Sequence, residues 1–180
     1  MTAQIALLRA VNLGSHGKIS MPELRAFVVG LGFSDVHTLL NSGNLVFSGA
    51  QKGPEVETLL QRESAARLQL RTDYVVRTIE EWTEVIAGNP FPKEAQSDPS
   101  HLVVMFLKST ADASAVEALQ AAITGPEVIR AAGRHLYITY PAGIGTSKLT
   151  NTIIESKLHR RGTGRNWNTV LKLHTLAKGT

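Results

Sequence analysis

One order of strand and helix signals occurs twice in this chain, once on each side of a proline-bearing stretch, and that recurrence narrows the fold more than any other feature. Residues 3–11 are an apolar run closed by Asn12-Leu13-Gly14-Ser15, the pattern of a buried strand ending in a turn. Ser20-Met21-Pro22-Glu23 then supplies a capping hydroxyl, a first-turn proline and a glutamate three residues on, which start a helix. Leu24, Phe27, Val28 and Leu31 give that helix one apolar face, and Gly30 and Gly32 stop it. Segments 36–40 and 44–47 flank Asn41-Ser42-Gly43, whose tolerance of positive φ makes a hairpin. A second helical pattern covers 54–68, and a β-rich stretch runs from about Leu70 to Val76. The sum is βαββαβ, the ferredoxin-like order in which two helices cover one face of a four-stranded antiparallel sheet.

Thr78 caps a short helix with Ile79, Trp82, Val85 and Ile86 inward, and Pro90, Pro92 and Pro99 mark residues 90–100 as a linker. The expected division is therefore an N-terminal half, 1–89, and a C-terminal half, 101–180. Past the linker come a strand at 102–107, a helix at 112–124, strands at 127–131 and 135–140 about a turn at Gly133, and helices at 147–159 and 166–177. The expected class is α+β: two tandem ferredoxin-like halves, βαββαβ and then a degenerate βαββαα without the last strand, their antiparallel sheets covered by helices. The matching order implies a degenerate duplication, with a period too long for a solenoid.

A chain of 180 residues buries roughly 70% of the surface its unfolded form exposes, enough for a core without disulfides or structural metals. It has no cysteine, which removes thiol catalysis and Cys-based zinc sites and suits a reducing compartment. The first residues carry neither a basic segment nor a full apolar one, and no stretch reads as a membrane span, so a cytoplasmic location is expected. The net charge of +4 is unevenly placed. From Lys148 onward seven Lys and Arg face Glu155 alone, whereas the first 147 residues hold 12 bases and 14 acids. That asymmetry points the C-terminal segment toward an anionic partner, against the plainer reading of a solvated basic face.

Two constellations carry binding chemistry. In a ferredoxin-like half the first two strands run parallel, so the end of the first strand and the following hairpin share an edge. Arg9, Asn12, Ser42 and Asn44 should meet there as a polar cluster suited to a carboxylate or phosphate. The plainer reading has Ser42 and Asn44 making the turn while Arg9 pairs with an acid such as Glu23. The second constellation is two glycine-containing loops, 142–148 and 162–166, each read as opening a helix, with Lys148 beside the first and Arg160, Arg161 and Arg165 around the second. Neither has Walker spacing, nor does Gly17-Lys18. Ordinary capping is the competing explanation.

Trp167 reads either as a stacking platform for a base or, at helical spacing with Val170 and Leu171, as a core anchor. Tyr137-Ile138-Thr139-Tyr140 echoes part of an RNA-recognition signature whose remainder is missing. The six histidines include no i, i+4 pair, so no metal site is expected. No serine lies in a Gly-x-Ser-x-Gly elbow. No catalytic residue is assigned, no cofactor is expected, and the oligomeric state stays open.

Three strings carry a resemblance: Leu7-Leu8-Arg9-Ala10-Val11-Asn12-Leu13-Gly14 running into Met21-Pro22-Glu23-Leu24-Arg25, then Asn41-Ser42-Gly43-Asn44-Leu45-Val46-Phe47, and finally Gly164-Arg165-Asn166-Trp167-Asn168-Thr169-Val170. Together they resemble the bacterial domain-of-unknown-function 1697 family, across nearly the whole chain. The resemblance implies an α+β fold with two ferredoxin-like halves and supplies no activity. Asn166 and Asn168 of the last string join the candidate ligand-binding residues. The chain departs from the family pattern at Ala10, where the pattern has glycine, and at Gly14-Ser15, where it has a glycine pair. Charge placement favours a binding module for an anionic ligand, nucleic acid or a phosphorylated metabolite. The alternatives are an enzyme acting on a small phosphorylated or acidic substrate through Arg9, Asn12, Ser42 and Asn44, and a protein-interaction module.

Overall fold

The computed structural model of the chain describes residues 1–9 and 19–180. In strand β1 (Thr2–Leu8) the four residues Ile5, Ala6, Leu7 and Leu8 are all fully buried. Successive strand side chains point to opposite faces, so β1 is covered on both and takes the middle of a sheet. Helix α1 (Met21–Gly30) starts at the expected capping box: Ser20 Oγ accepts from Glu23 N at 3.3 Å and the Glu23 carboxylate accepts from Ser20 N at 2.7 Å. Strands β2 (Ser34–Leu39) and β3 (Asn44–Gly49) form the hairpin, helix α2 (Pro54–Leu68) follows, and β4 (Tyr74–Thr78) returns along β1. The sheet order is β2-β3-β1-β4 with every pairing antiparallel. Ala6, Leu8, Leu45, Phe47, Tyr74 and Val76 share one core with Leu24, Phe27 and Val28 of α1 and with Val56 and Leu60 of α2.

Helix α3 (Ile79–Ala87) follows β4 directly and lies against β1 and β4, burying Trp82 and Val85. Thr78 is its cap, as expected: the Thr78 hydroxyl accepts from Glu81 N, and the Glu81 carboxylate accepts from Thr78 N at 2.8 Å. The stretch expected as a linker holds helix α4 (Pro92–Ser97) and a single 3-10 turn (Pro99–His101).

The second sheet repeats the first. Strand β5 (Leu102–Leu107) leads to α5 (Ala113–Ala122), the hairpin of β6 (Val128–Ala132) and β7 (His135–Thr139), α6 (Asn151–Leu158), β8 (Gly162–Asn166) and α7 (Trp167–Lys178). Its order, β6-β7-β5-β8, matches that of the first sheet position for position. The α+β class with two ferredoxin-like halves therefore holds, with one element corrected. Residues 162–166, read from the sequence as a helix-opening loop, form the strand missing from βαββαα, paired antiparallel to β5.

Glycines hide that strand because they weaken a β pattern, yet here they allow close approach. A Cβ on Gly162 would collide with the backbone carbonyl of Phe106, and one on Gly164 would sit 3.1 Å from Val103 Cγ1. The reading of a loop at 142–148 that opens its helix is also corrected. Helix α6 starts at Asn151, capped by Thr150, whose hydroxyl accepts from Ile153 N at 3.3 Å.

By its internal contacts the chain divides into Met1–Ala87 with Lys172–Thr180, and Gly88–Leu171. No described helix is long and apolar enough to cross a membrane. The close approach at Gly162 sets an expectation for chemical denaturation. Gly162→Ala should cost about 1–3 kcal/mol, the usual range for forcing atoms into a packed site. Gly30→Ala, on a helix with nothing within 4 Å of the new Cβ, should be neutral or gain about 0.5–1 kcal/mol. Equal effects at the two positions would contradict the close β5–β8 contact.

Candidate functional site

The first constellation is brought together in part. Leu8 N donates to Gly43 O at 2.9 Å, so the end of β1 does meet the hairpin, as the parallel course of β1 and β2 requires. Asn12 lies outside the described residues, as do Ala10, Gly14, Ser15 and Gly17-Lys18. Asn44 is fully buried, and its Nδ2 donates to Leu39 O at 2.7 Å and to Ser42 Oγ at 2.9 Å. Both hydrogens of that amide are thus used inside the turn. Arg9 approaches an acid, as the plainer reading held, but the acid is Asp73, at 3.8 Å. Glu23 serves its helix cap instead.

The C-terminal bases do not converge on one turn. Arg160 donates to Thr110 O and His159 O and lies 3.9 Å from the Asp112 carboxylate. Arg165 is buried on β8, where its Nη1 donates to Thr163 Oγ1 at 2.7 Å and to Gly164 O at 2.9 Å. Burial lowers its guanidinium pKa to about 10. Arg161 is exposed just before β8, and its carbonyl accepts from Lys108 N. Asn166 caps α7, its Oδ1 accepting from Thr169 N at 3.0 Å, and Asn168 is exposed on the first turn of that helix. Trp167 is buried, in line with a core anchor. Tyr137 and Tyr140 are buried too and offer no open ring face to a base.

What the second half does offer is a cavity of about 550 Å³, within the range of small-molecule sites. Its apolar wall comes from Leu119, Ala122 and Ile123 at the end of α5, with Leu149 and Ile153 across from them. Its polar residues are Thr124, Glu127, Thr146, Ser147 and Lys148. The glycine loop singled out in the sequence therefore lines a real cavity, together with the segment before β6. Glu127 heads that segment and is only 8% exposed. Ser147 Oγ donates to Glu127 Oε1 at 2.5 Å and accepts from Leu149 N at 3.0 Å, so one hydroxyl joins the loop to the carboxylate. Gly125 lies over the other oxygen: a Cβ there would collide with Glu127 Oε2.

The loop is held by its own bonds. Gly143 N donates to Tyr140 O, Ser147 N to Ile144 O, and the Tyr140 hydroxyl to Leu149 O at 3.0 Å. Those amides are spent within the loop and do not form an anion cradle. Lys148 is exposed, and among the described residues its ammonium has no ion-pair partner. Glu127 escaped the sequence reading because no periodicity or motif marks it. Its nearest signal, Gly125-Pro126, announces a turn and not a buried acid.

The geometry defines a class: an α+β protein of two ferredoxin-like halves, the second holding a preformed pocket with one buried acid. The chain belongs to the DUF1697 family, a family of proteins of unknown function, whose model matches residues 1–137. That match takes in α5 and Glu127 and stops before the loop that carries Ser147 and Lys148. Among solved structures the chain is similar to the conserved bacterial protein SP0830 from Streptococcus pneumoniae, at a TM-score of 0.77 and 20% identity, covering 98% of each chain. At that identity the likeness speaks for the fold. No curated protein matches the chain. Among the described residues, no group of three or more His, Asp or Glu is placed to hold a metal ion.

The chain's three tyrosines report on this packing. Burial pushes the phenols of Tyr74, Tyr137 and Tyr140 up to about 12, and the charge of Glu127 adds to the effect at Tyr140. A free phenol ionises near 10. The stability tied to keeping these groups neutral is therefore fully present below about pH 10, where both states are neutral, and is lost as the pH rises toward 12. An alkaline titration followed by tyrosinate absorbance should show little ionisation near pH 10 and a steep rise toward 12, accompanied by unfolding. A full step at pH 10 from a protein still folded would contradict the burial of these rings.

Proposed function

We propose that the chain is a small-molecule binding module whose site is the cavity of the second half. Its ligand is an apolar stem with an anionic end held at Lys148. The observation that carries this reading is a cavity of about 550 Å³ whose glycine loop is tied down by its own hydrogen bonds, lined by the Lys148 ammonium, which has no ion-pair partner among the described residues. A pocket formed before its ligand arrives loses little ordering entropy on binding. Of the bases expected from the sequence to hold an anion, Lys148 is the one that lines the cavity, while Arg9, Arg160 and Arg165 are engaged with protein groups. Binding is favoured over catalysis because Ser147 donates straight to a carboxylate, with no imidazole between them to activate it as a nucleophile.

The test is a calorimetric titration of the full chain with hexanoate, hexyl phosphate and short RNA and DNA, each at low and moderate salt. The two small anions should bind with a modest salt dependence, and Lys148→Ala should weaken them about tenfold, the worth of one charge-assisted hydrogen bond. Tight oligonucleotide binding that collapses with salt would overturn the reading in favour of a basic surface. Small-anion binding indifferent to Lys148→Ala would overturn it as well.

A further inference from the structure

We infer that Glu127 is the recognition group for a protonated amine, so that the ligand of the second-half cavity carries an ammonium. The inference rests on the cavity reading above and adds to it the chemistry of the buried acid in the wall. Glu127 is a nine-tenths buried carboxylate, and among the described residues it has no cationic partner: its one hydrogen bond is from Ser147. Ser147 donates to Oε1 and Gly125 packs beside Oε2, where a Cβ would force the Glu127 side chain to shift. Glu127 itself lines the cavity, as do Ser147 and Gly125.

An isolated carboxylate among Leu119, Ile123 and Leu149 is expensive to desolvate, and a buried ion is retained where something pairs with it. An ammonium brought by the ligand would supply the missing countercharge, in surroundings where the attraction is stronger than in water. Apolar walls on either side fit an aliphatic stem. A ligand without a cation would leave the acid uncompensated. Lys148, which also lines the cavity, adds a charge of the opposite sign, so the site selects a molecule that carries both charges.

The experiment compares hexylamine, hexanoate and ω-aminohexanoate on the full chain and on Glu127→Gln and Ser147→Ala, by calorimetry and by shifts of the backbone amides of residues 119–127 and 142–149. Hexylamine is expected to bind, ω-aminohexanoate to bind more tightly than either singly charged probe, and Glu127→Gln to weaken both amines about 10- to 100-fold without weakening hexanoate. Ser147→Ala should weaken the amines less, since it loosens the acid without removing it. A chemical denaturation curve as cooperative as that of the unmodified chain confirms that each variant is folded. Hexanoate binding with no response to hexylamine would overturn the amine assignment and leave the cavity reading standing. No binding of any probe would overturn both. An Nα-acetyl-lysine amide that outcompetes the free amines would move the source of the ammonium from a small molecule to a protein side chain, and would overturn the small-molecule form of the proposal.

Discussion

The outer edge of β4 is where the backbone of the first half has to be closed, and helix α2 closes it. The amides of Tyr74 and Val76 point away from β1, and they donate to Gln61 Oε1 at 3.3 Å and to Glu57 Oε1 at 2.9 Å. Glu57 and Gln61 stand four residues apart on one face of α2, the spacing that brings two side chains over one strand. Thr78 N, next along the edge, is taken by Glu81, and Arg77 Nη1 turns back to Val76 O at 3.0 Å. An edge strand with free donors and acceptors is a template for unwanted pairing. Here a helix and the strand's own arginine occupy it, which fixes the register of α2 on the sheet and so the packing of Val56 and Leu60 in the core.

The second half uses the same device with different residues. Gly162 N donates to Glu155 of α6, and Arg165 Nη1 turns back to Gly164 O as Arg77 does to Val76 O. In each half the edge strand runs without a loop into a helix capped by the strand's last residue, Thr78 in one and Asn166 in the other. The duplicated unit is therefore βαββαβα, one helix longer than the ferredoxin-like order. This structural use of Arg165 and Asn166 explains why a basic, asparagine-rich segment that looks like a ligand site in the sequence is largely occupied with protein groups. In the second half the segment after α5 and the loop after β7 line the cavity, with Glu127 in its wall.

Elements whose signals are local were legible in the sequence. The capping box at Ser20 and Glu23, the Asn41-Ser42-Gly43 turn and the cap at Thr78 each rest on side chains reaching two or three residues, and each was readable from spacing. Strand β8 was not, because its glycines are required by the carbonyl of Phe106, more than fifty residues away, and nothing near them in the sequence records that neighbour. The site divides in the same way. The glycine loop and Lys148 stood out by composition, whereas Glu127 gains its meaning from Ser147, twenty residues on, and from the missing side chain of Gly125. The acid that Arg9 approaches, Asp73, was out of reach of any short-range rule.

The cavity of the second half is lined by one buried acid, Glu127, and one exposed base, Lys148. The most direct measurement is a crystal structure of the full chain grown with ω-aminohexanoate. The molecule is expected in the cavity between the end of α5 and residues 142–149, its nitrogen within hydrogen-bond distance of a Glu127 oxygen and its carboxylate toward Lys148. Density for the same molecule at the hairpin edge beside Arg9 and Asn44, with the cavity filled by water, would contradict that location.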